Sequence, residues 1–288
     1  MLRNSHLLIE VLLMEQGVDY LAGLAVKKKK MLDTNPTEYM LRAILAGIYI
    51  GFVVVVSFRL GEFFRVVDSP ATYMSAAVAF GIALVIIVYG GAELFTGNTM
   101  YFTVATMQKK TTVMDTLRNW VACYAGNLIG AVFFASLFYA TGLFETITES
   151  HLLNKVADTK MNATTMHLFF KGILCNWLVC LACFLPTRVK GDGAKIAMMM
   201  LIVFAFFISG YEHSIANLAI FSLSLIHTHP DTVTLAGALH NLVPVTLGNI
   251  VGGSVFVGMV YQYFNMSKAT KEEQVKEIEE VELQTAEA

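Results

Sequence analysis

Long uncharged apolar runs alternate with short charged segments along this chain. A helix that crosses a bilayer needs about 20 predominantly apolar residues to cover ~30 Å of hydrocarbon. Six regions are read as spans: residues 43–58, 73–92, 119–144, 172–187, 196–211 and 232–267. Two further apolar stretches, 94–108 and 214–226, follow the second and fifth spans and are too short to cross alone. Polar residues set each apart, Glu93, Thr96 and Asn98 in one case, Glu212, His213 and Asn217 in the other. The pattern predicts that helices two and five are broken. Irregular backbone is tolerated at membrane depth only where protein or a cavity satisfies its polar groups.

The two interruptions repeat. Gly91, Glu93 and Asn98 share the spacing Gly-x-Glu-x-x-x-x-Asn with Gly210, Glu212 and Asn217, at an offset of 119 (210 − 91). Asn119 and the run Gly126, Asn127, Gly130 pair with Asn241 and Gly248, Asn249, Gly252, at 122 (241 − 119). Gly47 pairs more weakly with Gly172, at 125 (172 − 47). Three spans per half put the second half upside down. The prediction is an all-α polytopic membrane protein of six helices in two inverted three-helix repeats, residues 36–144 and 161–266. Such repeats place their broken helices at a midplane site. A cytoplasmic segment, 1–35, precedes the membrane domain at 36–266, and a charged cytoplasmic tail, 267–288, follows it.

Composition agrees. Hydrophobic residues are 56% and charged residues 15%, against about 25% charged in soluble domains. A net charge of −2 gives no field for a nucleic acid. The four cysteines lie in apolar stretches without metal spacing and read as filler. The first twenty residues show no signal-peptide pattern. Lysine and arginine cluster at 27–30, 109–118 and 188–195, which predicts both termini in the cytoplasm.

Glu93, Glu212 and His213 are ionisable groups at membrane depth, where such groups usually face a pathway. The carboxylates have a plainer use, bonding the unwound backbone of their own breaks. His213 has Leu94 as its repeat mate, so symmetry does not require it, and imidazole exchanges protons near neutrality. Lys171 reads as an interface residue that snorkels. A membrane enzyme or sensor built on His213 and Glu212 is the alternative class, but no nucleophile or metal set accompanies them.

Four stretches in order, GGAELFTGN, KGILCNWLVCLA, SGYEHSIAN and PVTLGNIVGG, resemble the formate–nitrite transporter family over residues 36–264. No Asn-Pro-Ala pair is present, which disfavours a water channel, although the family's fold is aquaporin-like. The resemblance implies a homopentamer in the cell membrane with one pore per protomer and no cofactor. It implies that His213 is the central pore histidine, with Thr96 and Asn176 as polar pore residues that hold substrate oxygens. Phe80, Leu84 and Phe206 match hydrophobic constrictions, and Phe95 would narrow the opposite side of the chamber. Glu93, Glu212, Asn98 and Asn217 would orient the loops, and Lys160 would draw anions into a vestibule. Residues 7–30 match a helix that can cover the pore. The expected substrates are small weak-acid anions that cross protonated, by a proton from His213 or relayed through it from water. Formate comes first, nitrite or hydrosulfide second.

Overall fold

The computed structural model describes residues 2–266, with side chains described from residue 17 onward; the predicted tail at 267–288 lies outside the described residues. The elements are helical throughout. Helix α1 (Leu2–Thr34) leads into α2 (Pro36–Arg65). Asn35 separates them, its side chain accepting from the Glu38 amide while Pro36 opens the helix with the one residue that has no N–H to lose. The second predicted span is two short helices, α3 (Thr72–Phe80) and α4 (Ala83–Tyr89). Then come α5 (Phe95–Met107), α6 (Val113–Tyr139), α7 (Leu152–Met161) and α8 (Thr165–Phe184). A 3₁₀ turn (Leu185–Arg188) leads to α9 (Asp192–Ile208), followed by α10 (Ser214–Ile226) and α11 (Leu235–Val251), which runs on through a π-helical stretch (Gly252–Met259). Thr112 and Asp115 start α6 with reciprocal side-chain-to-backbone bonds.

Among the described residues, five stretches are long and apolar enough to cross a membrane: Pro36–Arg65, Thr72–Tyr89, Val113–Tyr139, Thr165–Arg188 and Leu235–Met266. The remaining predicted span, the fifth at 196–211, corresponds to α9, whose 17 residues rise about 25 Å, a little less than the ~30 Å hydrocarbon layer. The segment before α8 contains the ten-residue helix α7, which buries Leu153, Asn154, Ala157 and Met161 and carries Lys160.

Two helix pairs form the frame, α2 against α6 and α8 against α11. Both pack backbone to backbone. A Cβ added at Gly130 would lie 2.0 Å from the Ile44 carbonyl oxygen, and one at Gly252 would lie 2.3 Å from that of Ile173. Without a hydrophobic drive between helices in lipid, such close approach supplies the packing.

Candidate functional site

Each break begins with a glycine in the left-handed region, Gly91 at φ 66° and Gly210 at φ 70°, which ends the preceding helix. The chain then runs extended for a few residues before α5 and α10 begin. One asparagine holds each extended segment. Asn127 accepts from the Phe95 amide (3.0 Å) and donates to the carbonyls of Ala43 and Glu93 (both 2.8 Å). Asn249 accepts from the Ser214 amide (2.8 Å) and donates to the carbonyls of Gly172 (2.8 Å) and Glu212 (2.9 Å). The Glu93 amide donates to Arg42 and the Glu212 amide to Lys171. Protein partners thus satisfy backbone groups that lipid would leave bare.

These bonds correct one register. They pair Arg42 with Lys171 and Ala43 with Gly172, an offset of 129 (171 − 42 and 172 − 43) rather than the 125 read by matching Gly47 to Gly172. The difference is four residues, about one helical turn. Both glycines serve close helix contact, but one turn apart relative to their breaks.

The carboxylates turn away from the extended segments into matching networks. Glu212 is ion-paired with Lys160 (2.8 Å) and accepts from Asn217 (2.7 Å), which also donates to Asn241 (2.8 Å). Glu93 is ion-paired with Lys28 and accepts from Asn98 (3.3 Å), which also donates to Asn119 (3.1 Å). Lys28 comes from α1, and its ammonium lies 5.4 Å from the centre of the Tyr101 ring. The sequence shows it only as one of four consecutive lysines. Nothing in the sequence singles it out, because the offset of 129 maps Lys160 onto Met31 rather than onto Lys28.

Thr96 and His213, one from each break, meet at 3.0 Å through Oγ1 and Nε2. Nδ1 of His213 accepts from the Ala216 amide (3.1 Å) and caps α10. A nitrogen that accepts from a backbone amide carries no proton. The neutral ring therefore has its hydrogen on Nε2, which donates to Thr96. Phe206 stacks on the imidazole at 5.9 Å between centres and 24° between planes, and the Phe80 ring stands edge-on to Phe206, also at 5.9 Å.

These rings bound a chamber of about 20 Å³, with Leu84, Leu94 and Val203 among its apolar walls and His213 as its one polar lining residue. Two larger cavities lie to either side along α8. One, about 350 Å³, is lined by Lys160, Lys171, Glu212 and His213; the other, about 660 Å³, by Tyr20 and Leu24 of α1 with Tyr101, Cys183, Asp192 and Lys195. Their order follows α8, where Lys171 lines the first cavity, Val179 the chamber and Cys183 the second.

The structure therefore brings together His213, Thr96, Phe80, Leu84 and Phe206, with Lys160 at the mouth. Two expected residues do not line the chamber. Asn176 is fully buried and donates to the Thr96 carbonyl (3.2 Å), Thr99 Oγ1 (3.0 Å) and the Asn249 carbonyl (2.6 Å), which leaves its amide tied to the frame. Phe95 packs edge-on to Tyr124 (5.1 Å), and its neighbour Leu94 lines the chamber instead.

Comparison with known proteins places this architecture. The family model for the formate/nitrite transporter matches residues 16–263. The uncharacterized transporter YwcJ of Bacillus subtilis is 50% identical over 250 residues, 87% of this chain and 98% of YwcJ. The nitrite transporter NirC of Escherichia coli is 38% identical over 242 residues, 84% of this chain and 89% of NirC. A solved FNT family ion channel superposes with a TM-score of 0.82 at 36% identity, covering 86% of this chain and 98% of the other. A solved pentameric formate channel with formate bound gives 0.68 at 29% identity, covering 80% and 97%. The chain belongs to the formate/nitrite transporter family, whose members are membrane transporters and channels.

Proposed function

We propose that this protein carries small monovalent weak acids, formate and nitrite foremost, across the cell membrane as a homopentamer with one path per protomer. Each protomer has six spans in two inverted halves, both termini in the cytoplasm and the Lys160 cavity on the outer side. The pentamer follows the solved pentameric formate channel, and the halves follow the matched hydrogen bonds of the two breaks. One observation carries the mechanism: between the two cavities, in order along α8, lies a chamber of about 20 Å³ with a single polar side chain on its wall.

That space holds about one water-sized guest. An anion cannot bring its hydration shell through, and an unpaired charge in such surroundings costs tens of kcal/mol before it neutralises. A weak acid neutralises by taking a proton. The lysine-lined cavity concentrates the anion, and the protonated acid then crosses between Phe80 and Phe206. His213 offers Nε2–H as a hydrogen-bond donor. Its other nitrogen is committed to the α10 cap, so forming imidazolium means breaking that bond. The proton therefore comes from water in the cavity, with His213 and Thr96 orienting the substrate oxygen. Nitrite stands beside formate because the nitrite transporter NirC is 38% identical across most of its length.

Uptake of formate, nitrite and hydrosulfide by proteoliposomes tests the assignment. Saturable uptake of formate or nitrite, with larger acids excluded, is the expected result. Vesicles no more permeable to either than protein-free liposomes overturn it.

A further inference from the structure

We infer that Lys171, rather than Lys160 alone, is the group that captures the substrate anion at the mouth of the path. The reasoning starts from charge accounting in the cavity. Lys160 lines it, but its ammonium sits 2.8 Å from the Glu212 carboxylate, so the pair presents a dipole with no net charge. Lys171 lines the same cavity, and among the described residues it forms no ion pair. The cavity's net positive charge is therefore the Lys171 ammonium.

The other half shows what this position does when it is neutralised. Arg42 is the repeat mate of Lys171, since the carbonyls of both accept from the glutamate amide of their break. Arg42 is ion-paired with Glu38 four residues earlier on the same helix (2.8 Å), and its guanidinium also donates to the Gly91 carbonyl (2.9 Å). Applying the offset of 129 to Glu38 gives residue 167, where the sequence has an exposed histidine. The carboxylate that silences Arg42 has no counterpart beside Lys171. At the other end of the path, Lys28 is paired with Glu93, and the cavity residues Asp192 and Lys195 pair with each other at 3.9 Å. The two mouths thus differ by one uncompensated cation, and it lies on the Lys171 side.

A cation in that position attracts any monoanion of suitable size and does not enter the chamber, because Lys171 lies two helical turns before Val179 on α8. Its effect falls on entry, read as the apparent KM and its salt dependence, and not on the maximal rate. This inference rests on the weak-acid reading above, and the experiment separates the two. Initial uptake of radiolabelled formate is measured on intact cells expressing the full chain, across formate concentration and ionic strength. Lys171→Gln should raise the apparent KM roughly fivefold at low salt, the effect of one unit charge at ~4 Å in water, with an unchanged maximal rate and a flattened salt dependence. Lys171→Arg should behave as wild type. His167→Glu supplies the missing carboxylate four residues away, leaves Lys171 intact, and should reproduce the higher KM. Wild-type KM and salt profile in both Lys171→Gln and His167→Glu, with the parent protein transporting formate, overturn the inference. Absence of formate and nitrite uptake by the parent overturns instead the reading on which it rests.

Discussion

Thr96 and His213 lie 117 residues apart in sequence and 3.0 Å apart in space, each on the first turn or cap of a half-helix that starts at its own break. The contact joins the two halves of the chain at the chamber wall. It gives the imidazole a single orientation, because one nitrogen is held by the α10 backbone and the other by Thr96.

Removing that hydroxyl should impair transport without unfolding the protein. Thr96→Val preserves shape but leaves the Nε2–H of His213 without its acceptor, a penalty of about 1–3 kcal/mol for a buried donor. Formate flux should fall by roughly tenfold or more, while Thr96→Ser restores it. Flux assays on pentamers isolated by size exclusion check this, and full activity in Thr96→Val would contradict it.

Asn249 should matter for assembly rather than for rate. Its side chain accepts from the Ser214 amide and donates to the carbonyls of Gly172 and Glu212. Asn249→Leu removes all three bonds and leaves the buried Ser214 amide without its acceptor, at about 1–3 kcal/mol for that group. The variant should show a large drop in thermal midpoint or fail to yield pentamers in detergent. A wild-type melting curve would mean that the break is held by something else.

The glycines separate into those that cannot and those that can accept a methyl group. A Cβ at Gly130 falls 2.0 Å from a backbone oxygen of α2, whereas one at Gly23 meets nothing within 4 Å. Gly130→Ala should therefore push α2 and α6 apart and destabilise the protein by at least about 1–3 kcal/mol. Gly23→Ala should be neutral or stabilise α1 by up to about 1 kcal/mol. Thermal unfolding of the two variants side by side tests the pair of expectations.

Acid should loosen the segment that enters α7 through His151. Burial holds this imidazole below its ordinary value of 6.5; Arg65 and His227 reinforce the shift, while Glu62 opposes it. The unfolded loop takes up a proton that the folded one resists. Stability is complete above pH 6.5 and is lost progressively as pH falls below it. The protection of the α7 amides, their exchange rate set against the intrinsic rate at the same pH, should fall below that point. His151→Asn, which can still cap the Leu153 amide, should abolish the fall. An unchanged acid response in the variant would locate the sensitivity elsewhere.

Much of this arrangement was legible in the chain because the constraint is severe. Backbone at membrane depth needs internal partners, so the residues that provide them, Asn127 and Asn249 for the frame and Asn98 and Asn217 for the carboxylates, recur at readable spacing. What escaped the sequence depends on direction rather than identity. The run Lys27 to Lys30 does not say which ammonium faces Glu93; the packing of α1 decides it. Glycine matched to glycine gave an offset one turn short, because two positions on a helix face serve close packing equally well. The family resemblance makes Asn176 a pore residue, yet its amide is taken up by the Asn249 carbonyl at the end of α11 and packs against Gly253 in the π-helical stretch that follows. A Cβ on Gly253 would lie 2.6 Å from the Asn176 amide nitrogen.

The central claim is that the substrate crosses the chamber as a neutral acid. The most direct test is to measure charge and proton movement together in proteoliposomes loaded with a pH-sensitive dye and held under an imposed formate gradient. The account predicts that each formate taken up brings one proton, that the lumen acidifies in step with uptake, and that no membrane current or valinomycin-dependent potential accompanies it. Chloride, whose acid is strong, should move neither charge nor protons. A formate current that reverses with membrane potential and proceeds without proton uptake would contradict the account.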